Sequence, residues 1–164
     1  MTTEFQNLLD RLQQAEVDFV IVGGFAAMMH GSSLMTQDID VCCDFSPDNL
    51  MRLMRALSDI HPVHRMTPNK VVLELTAKNC ANLKNLYLDT DQGVLDCLSE
   101  VAGVGDFKQV RRVSQELEAG EKLFYVLSLD ALIDAKTAIN RPQDQLAVNQ
   151  LKIIRGMKNS KSDS

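Results

Sequence analysis

Several features that would place a chain outside the ordinary globular classes are missing from this sequence. No apolar run approaches the ~20 residues of a membrane span, and residues 1–6 lack the basic start and apolar stretch of a signal peptide. We therefore expect a cytoplasmic protein that makes no use of a membrane. Repeats and low-complexity tracts are also missing before the polar end, which excludes wholesale disorder, a coiled coil and a collagen-like fibre.

An excess of positive charge is missing as well. The chain has 17 basic and 22 acidic residues, for a net charge of −5. This excludes a global basic field for nucleic acid but leaves a local basic face open. The four cysteines form no CxxC motif, and we expect reduced, mostly buried thiols.

What remains is a chain with the composition of a globular domain. Of its 164 residues, 45% are hydrophobic and 24% are charged. A chain of this length should bury roughly 70% of its unfolded surface, so its core needs no covalent staples. We expect a single domain over residues 1–156 and a polar, frayed tail over 157–164.

Hydrophobic periodicity and turn residues predict a mixed α/β order of elements. Helices are predicted at 3–15, 25–30, 48–59, 129–139 and 143–155; strands are predicted at 17–22, 38–43, 71–75, 83–89, 94–98, 110–113 and 123–127. The fourth and fifth strands form a hairpin over 90–93. These elements predict a small mixed sheet flanked by helices, with the last two helices as a C-terminal cap.

Three aspartates are the candidate chemical groups. Asp38 and Asp40 share one face of a predicted strand, where they repel each other unless a cation lies between them. Mg²⁺ suits such a pair because it takes a few carboxylates and fills its other positions with phosphate oxygens and water. Asp96 is a lone charge in an apolar strand; if the two strands are neighbours, the three carboxylates converge and can hold two cations for phosphoryl transfer. Taken alone, the pair of Asp38 and Asp40 is typical of a solvated strand end. Taken alone, Asp96 is typical of a charge on an edge strand.

A glycine turn precedes the first two aspartates. Gly23 and Gly24 follow a buried strand and open a short helix, where backbone N–H groups can approach a phosphate; a plain tight turn is the alternative. The hydroxyls of Ser32, Ser33 and Thr36 could donate to a triphosphate or serve as cap and turn residues. The pattern is neither GxGxxG nor a P-loop, so it supports neither a Rossmann cofactor nor a Walker ATPase.

Segment 22–41 resembles the signature of the DNA polymerase β-like nucleotidyltransferase superfamily, which has a glycine turn, a short helix, an Asp-Xaa-Asp pair and a third Asp on a later strand. Its details look most like the small bacterial enzymes of the AbiEii/AbiGii toxin type, and are also similar to minimal and aminoglycoside- or lincosamide-type nucleotidyltransferases. Segments 92–96 and 128–144 are similar to the third-carboxylate strand and to the Leu-Ile-Xaa-Xaa-Lys and Arg-Xaa-Xaa-Asp helices of that group.

The resemblance implies the nucleotidyltransferase fold and a role for each matching residue. Three carboxylates would bind Mg²⁺ or Mn²⁺ and act in catalysis: Asp38, Asp40 and Asp96. The nucleotide would be bound by the glycine turn, the hydroxyls after it and one lysine: Gly23, Gly24, Ser32, Ser33, Thr36 and Lys136. Lys136 is otherwise a solvated lysine or a structural partner of Asp144. Where toxin-like members often have Arg, this chain has Leu34, so either phosphate binding is weaker or another basic residue serves.

The implied activity is metal-dependent transfer of a nucleoside monophosphate from an NTP to an acceptor hydroxyl. The acceptor would be a tRNA 3′ end or a protein, and a toxin-like enzyme would have an antitoxin partner. Seven basic residues would offer tRNA a phosphate track or form an ordinary helix surface: Arg111, Arg112, Lys122, Lys152, Arg155, Lys158 and Lys161. Two alternatives stay open, namely an antibiotic-modifying nucleotidyltransferase and a non-catalytic module that binds a nucleotide or a protein.

Overall fold

The computed structural model describes residues 3–162, and within them helices and strands alternate along the chain. The helices are α1 (Thr3–Gln14), α2 (Gly23–Met29), α3 (Pro47–Leu57), α4 (Phe107–Arg112), α5 (Leu129–Ile139) and α6 (Pro142–Ser162). The strands are β1 (Phe19–Val22), β2 (Asp38–Cys43), β3 (Val63–His64), β4 (Asn85–Thr90), β5 (Gly93–Leu98), β6 (Glu100–Val101), β7 (Gly105–Asp106), β8 (Ser114–Ala119) and β9 (Lys122–Leu127). No helix in this part of the chain is both long and apolar enough to cross a membrane.

Seven of the strands form one mixed sheet in the order β3-β4-β5-β2-β1-β9-β8. The middle of this sheet combines both kinds of pairing, because β2 is antiparallel to β1 but parallel to β5. The strands β4 and β5 form the predicted hairpin. The predicted mixed sheet with flanking helices is therefore confirmed.

Alternation along β2 decides which of its side chains reach the core. Ile39 and Val41 are fully buried, whereas Asp38 and Asp40 are half-buried. Because successive residues of a strand point to opposite faces, the apolar pair fixes the strand and the acidic pair projects from the other face. The predicted alternation is confirmed.

The four cysteines are free and buried, as predicted. Burial is the main cause that raises the pKa of the Cys42 thiol to about 12. A thiol of this kind stays protonated at neutral pH and is a poor nucleophile. The four cysteines are therefore part of the buried core.

Two predicted strands are wrong, each for a local reason. Residues 110–112 belong to α4 and Val113 follows its end, because Asp106 and Gln109 form a reciprocal capping box that opens a helix at Phe107. Segment 71–75 makes a single bridge, Val63 to Val72, since the strand available to it is only two residues long. Sequence patterning also missed β8. Its residues 114–119 are mostly polar, and all of them except Ala119 stay at least partly exposed.

The last helix is longer than predicted. It begins at Pro142 and continues to Ser162 instead of ending at 155, so the predicted domain boundary at 156 falls inside a helix. The predicted polar tail lies on this helix up to Ser162, and its residues 163–164 lie outside the described part of the chain.

Asn49 ties the first two strands to α3. Its side chain is 1% exposed. It donates to the backbone carbonyls of Asp18, at 3.1 Å, and Asp44, at 2.7 Å, and accepts from the backbone N–H of Asp18 at 2.7 Å. One buried amide thus pairs backbone groups at the start of β1 and the end of β2.

We expect Asn49→Ala to lower the free energy of unfolding by roughly 1–3 kcal/mol, because it removes a buried amide that pairs the backbone N–H of Asp18 and the backbone carbonyl of Asp44. Urea unfolding followed by circular dichroism measures this. The matched control is Asn7→Ala, at an exposed position of α1, which should change stability little. Equal losses in the two variants would show that the Asn49 contacts are not the cause.

Candidate functional site

The structure brings the three predicted carboxylates together at the middle of the sheet. Asp40 on β2 lies opposite Asp96 on β5, and Asp38 lies opposite Val94 in the same parallel ladder. Adjacent strands are about 4.8 Å apart. The condition that the two acidic strands be neighbours is therefore met.

The glycine turn lies directly against Asp40. Val22, the last residue of β1, is opposite Asp40 in the antiparallel ladder, and Gly23 begins α2 with a φ of 66°. A Cβ at this position would collide with Oδ2 of Asp40. Only glycine combines this left-handed backbone with so close an approach to the carboxylate.

Gly24 makes the second close approach of the turn. A Cβ there would lie 3.1 Å from Cβ of Thr36, so the turn also packs tightly against the segment that leads into β2. The residue before α2 is Val22, which cannot cap the helix with its side chain. The first N–H groups of α2 therefore have no side-chain acceptor from the capping position.

Burial and mutual repulsion disturb the acidic groups. Burial, followed by the charges of Asp96 and Asp38, raises the pKa of Asp40 to about 6; Lys136 and Arg65 oppose this. Burial also raises the pKa of Asp96, against the hydrogen bond and charge of Arg65. An added positive charge beside Asp40 would relieve this repulsion.

Arg65 is the residue of this site that sequence patterning missed. Its Nη2 donates to both carboxylate oxygens of Asp96, each at 2.5 Å. Its guanidinium lies over the ring of Tyr87, 5.5 Å from the centroid, and its backbone N–H donates to the Tyr87 carbonyl at 2.9 Å. Leu34 left open that another basic residue serves in phosphate binding, but nothing in the spacing of segment 61–70 pointed to Arg65 or to its contact with Asp96.

The three predicted hydroxyls have intramolecular partners. Ser32 Oγ donates to Oε1 of Gln150 at 2.7 Å, and Nε2 of Gln150 donates to Ser33 Oγ at 2.6 Å. Thr36 Oγ1 donates to the carbonyl of Asp38 at 3.1 Å. The serines thus attach their loop to α6, and the threonine fixes the start of β2. Their predicted role toward a nucleotide stays a prediction.

A cleft of about 340 Å³ opens between the glycine turn and the C-terminal helices. Gly23, Gly24, Asp40 and Lys136 line it. Apolar side chains form much of its remaining wall: Val22, Leu98, Val101, Leu127, Leu132 and Ile139. The predicted lysine is therefore brought to the same cleft as the central carboxylate.

Asp144 and Arg141 also line this cleft. Nε of Arg141 lies 2.6 Å from Oδ2 of Asp144, and this hydrogen bond is the main cause that lowers the pKa of Asp144. Asp144 thus takes Arg141 as its ion-pair partner, and Lys136 contributes only a longer-range charge. The interpretation of Lys136 as a structural partner of Asp144 is not supported.

The donor set differs from a ready three-carboxylate metal centre. Among residues 3–162, no group of three His, Cys, Asp or Glu side chains is placed to hold a metal ion. Asp96 directs both oxygens to Arg65, whereas the ion pairs formed within the same residues include neither Asp38 nor Asp40. Asp38 and Asp40 are therefore the two carboxylates of the site that can offer oxygen ligands to a cation without first breaking an ion pair.

Three solved structures share this arrangement of helices and strands. The lincosamide antibiotic adenylyltransferase LnuA, with lincomycin bound, matches with a TM-score of 0.63 and 16% identity, over 94% of this chain and 98% of its own. ANT(2″)-Ia, in complex with adenylyl-2″-tobramycin, matches with a TM-score of 0.57 and 13% identity, over 98% and 97%. A putative nucleotidyltransferase from Thermotoga maritima matches with a TM-score of 0.51 and 15% identity, over 98% and 91%.

The chain has the fold of these nucleotidyltransferases, and the predicted fold is confirmed. No protein-family model matches the sequence, and no curated protein matches it significantly. Identities of 13–16% establish a common fold and nothing finer. The predicted likeness to the AbiEii/AbiGii toxin type is not confirmed by these comparisons.

We expect Asp40→Asn to raise the free energy of unfolding of the metal-free protein near pH 7.5 by up to about 3 kcal/mol, because the pKa of Asp40 rises from 3.8 to about 6 and each pKa unit is worth about 1.4 kcal/mol. The folded protein holds the Asp40 proton more tightly than the unfolded chain, whose value is close to 3.8. The stabilisation that the tighter proton binding of folded Asp40 contributes is fully present below about pH 4 and is lost as the pH rises through about 6.

Urea unfolding near pH 4 and pH 7.5 measures the effect. The matched control is Asp134→Asn, at an exposed position of α5. A stability gain in the Asp40 variant that is equally large at both pH values would contradict the account, because ionisation of Asp40 would then not be its source.

Proposed function

We propose that the protein is a nucleotidyltransferase that transfers a nucleoside monophosphate from an NTP to an acceptor hydroxyl. One observation carries this proposal: Asp38 and Asp40 begin β2, Asp96 lies opposite Asp40 on the parallel strand, and the glycine turn packs against Asp40. Carboxylates for a divalent cation and backbone N–H groups for phosphate thus lie side by side. The nucleotidyltransferase fold supports the same reading.

Asp38 and Asp40 would hold the cation, Mg²⁺ or Mn²⁺, because their carboxylates repel each other and have no ion-pair partner within residues 3–162. Such an ion, when bound, neutralises the triphosphate and polarises the α-phosphate. Gly23 and Gly24 would let phosphate oxygens approach the start of α2. Lys136, whose charge already acts on Asp40 across the cleft, would bind the phosphates from the other side.

The transfer itself forms a bond between the acceptor oxygen and the α-phosphorus and breaks the bond from that phosphorus to the bridging oxygen. Pyrophosphate leaves with the electron pair of the broken bond. Asp96, beside Asp40, would accept the proton of the acceptor hydroxyl. Ser32 and Ser33 would reach a nucleotide only by releasing Gln150, so their part is secondary to that of the glycine turn.

We infer that a small molecule is a better acceptor than a tRNA end. The cleft is about 340 Å³ and largely apolar, which suits a compact ligand. Several residues of the predicted phosphate track are occupied within the chain, since Arg111 lies over Tyr125 and Arg155 pairs with Asp130. Two structural neighbours were solved with antibiotics or their adenylylated products. A protein acceptor, an antitoxin partner and a cytoplasmic location stay predictions.

Label transfer tests the proposal. The protein is incubated with each α-labelled NTP and Mg²⁺ or Mn²⁺, in separate reactions with lincomycin, tobramycin, total tRNA or no acceptor. We expect label on a small-molecule acceptor. Asp38→Asn and Asp40→Asn should lower the rate by roughly 10²-fold or more, as removal of electrostatic stabilisation does elsewhere. Asp134→Asn is the matched control and should keep the rate.

The other results of the label-transfer experiment distinguish between the remaining functions. Label on tRNA or on the protein itself would support a transferase with the other class of acceptor. Metal-dependent NTP binding without transfer to any acceptor would favour the non-catalytic module. Absence of both transfer and NTP binding would contradict the proposal.

A further inference from the structure

The ion pair between Arg65 and Asp96 is more sheltered than other ion pairs near the surface. The Arg65 side chain is 27% exposed and that of Asp96 is 13% exposed. In comparison, the pair of Arg11 and Asp59 has values of 30% and 66%. Breaking a sheltered pair leaves a poorly solvated charge behind, so Arg65 and Asp96 hold each other firmly.

Arg65 is also fixed from a third strand. Tyr87 on β4 lies opposite Asp96 in the sheet, and it holds Arg65 through its ring and its backbone carbonyl. The guanidinium therefore reaches Asp96 from a defined direction. Its Nε is buried and has no hydrogen-bond partner within residues 3–162.

A guanidinium keeps its charge at every working pH and meets a carboxylate with several donors. At Asp96 it supplies the positive charge that a divalent ion would otherwise bring to the third carboxylate. Because both oxygens of Asp96 already accept from Nη2 of Arg65, a metal ion at Asp96 would compete with this bond and lie next to a fixed positive charge. Asp38 and Asp40 are not paired in this way.

We propose that Arg65 is a built-in cation of this site, which takes the place of a second divalent ion at Asp96 and leaves one such ion to Asp38 and Asp40. This inference rests on the proposed function and deepens it. Asp96 then acts as a proton acceptor oriented by Arg65 and does not ligate metal. Arg65 is accordingly a positioning residue, held in place by Tyr87.

Mn²⁺ binding tests this without any nucleotide or turnover. The signal of free Mn²⁺ in electron paramagnetic resonance gives the number of ions bound by the full chain and their affinity. We expect one Mn²⁺ on the wild-type protein. Asp40→Asn should weaken it by at least about tenfold, since even changes around metal ligands cost that much. Asp96→Asn should still bind one ion and lose less affinity than Asp40→Asn, because it removes a neighbouring negative charge but no ligand.

Arg65→Gln frees the carboxylate of Asp96, and we expect it to bind a second Mn²⁺. Arg65→Lys, which retains a positive charge at the same position, should bind one ion. The matched control is Arg11→Gln, which removes the arginine of another ion pair and should also bind one. If Arg65→Gln does not fold, as judged by circular dichroism, the Asp96→Asn and Arg65→Lys variants decide.

Two Mn²⁺ ions bound to the wild-type protein would overturn the inference. An Asp96→Asn variant that binds no Mn²⁺ would overturn it as well. In either case the transferase proposal would stand, because label transfer tests it separately. A second ion on Arg65→Lys would likewise overturn it. A wild-type protein that transfers label but binds no Mn²⁺ without nucleotide would overturn the inference alone; absence of both would overturn the proposed function as well.

Discussion

The register of β2 between β1 and β5 places Val22, Asp40 and Asp96 side by side across three strands. The position of the carboxylates against the glycine turn follows from this alignment. The end of β1 delivers the glycine turn to the carboxylate of Asp40, and the parallel pairing with β5 adds Asp96. A slip of one residue would turn Asp38 and Asp40 into the core and expose Ile39 and Val41. The buried side chains therefore fix the position of the acidic ones.

This arrangement works against stability. Burial is the main cause that raises the pKa of Asp40, and repulsion from the neighbouring carboxylates of Asp96 and Asp38 adds to it. Arg65 and Lys136 oppose it incompletely. The fold tolerates the cost because the opposite face of β2 is anchored by Ile39 and Val41, and because Asn49 ties the ends of β1 and β2 to α3. An acidic site that lowers stability on a well-packed sheet is the balance expected if the site binds the cation that we propose.

Local patterns predicted much of the fold. The bounds of β2 and α5 follow from alternation and from the cap at Ser128, and the carboxylate pair follows from a spacing of two on a strand. The failures come where a local device overrides propensity, as the capping box at Asp106 does for 110–113. Contacts between distant segments left no signal: Arg65 meets Asp96 across 31 residues, and Ser32 meets Gln150 across 118.

The direct test of the central claim is to locate a bound ion. Crystals of the full chain grown with Mn²⁺ would show its position by anomalous scattering. The account predicts one strong peak at coordination distance from carboxylate oxygens of both Asp38 and Asp40, with Arg65 still bound to Asp96. A peak that does not touch these two residues would contradict it, as would a second peak on Asp96 with Arg65 displaced.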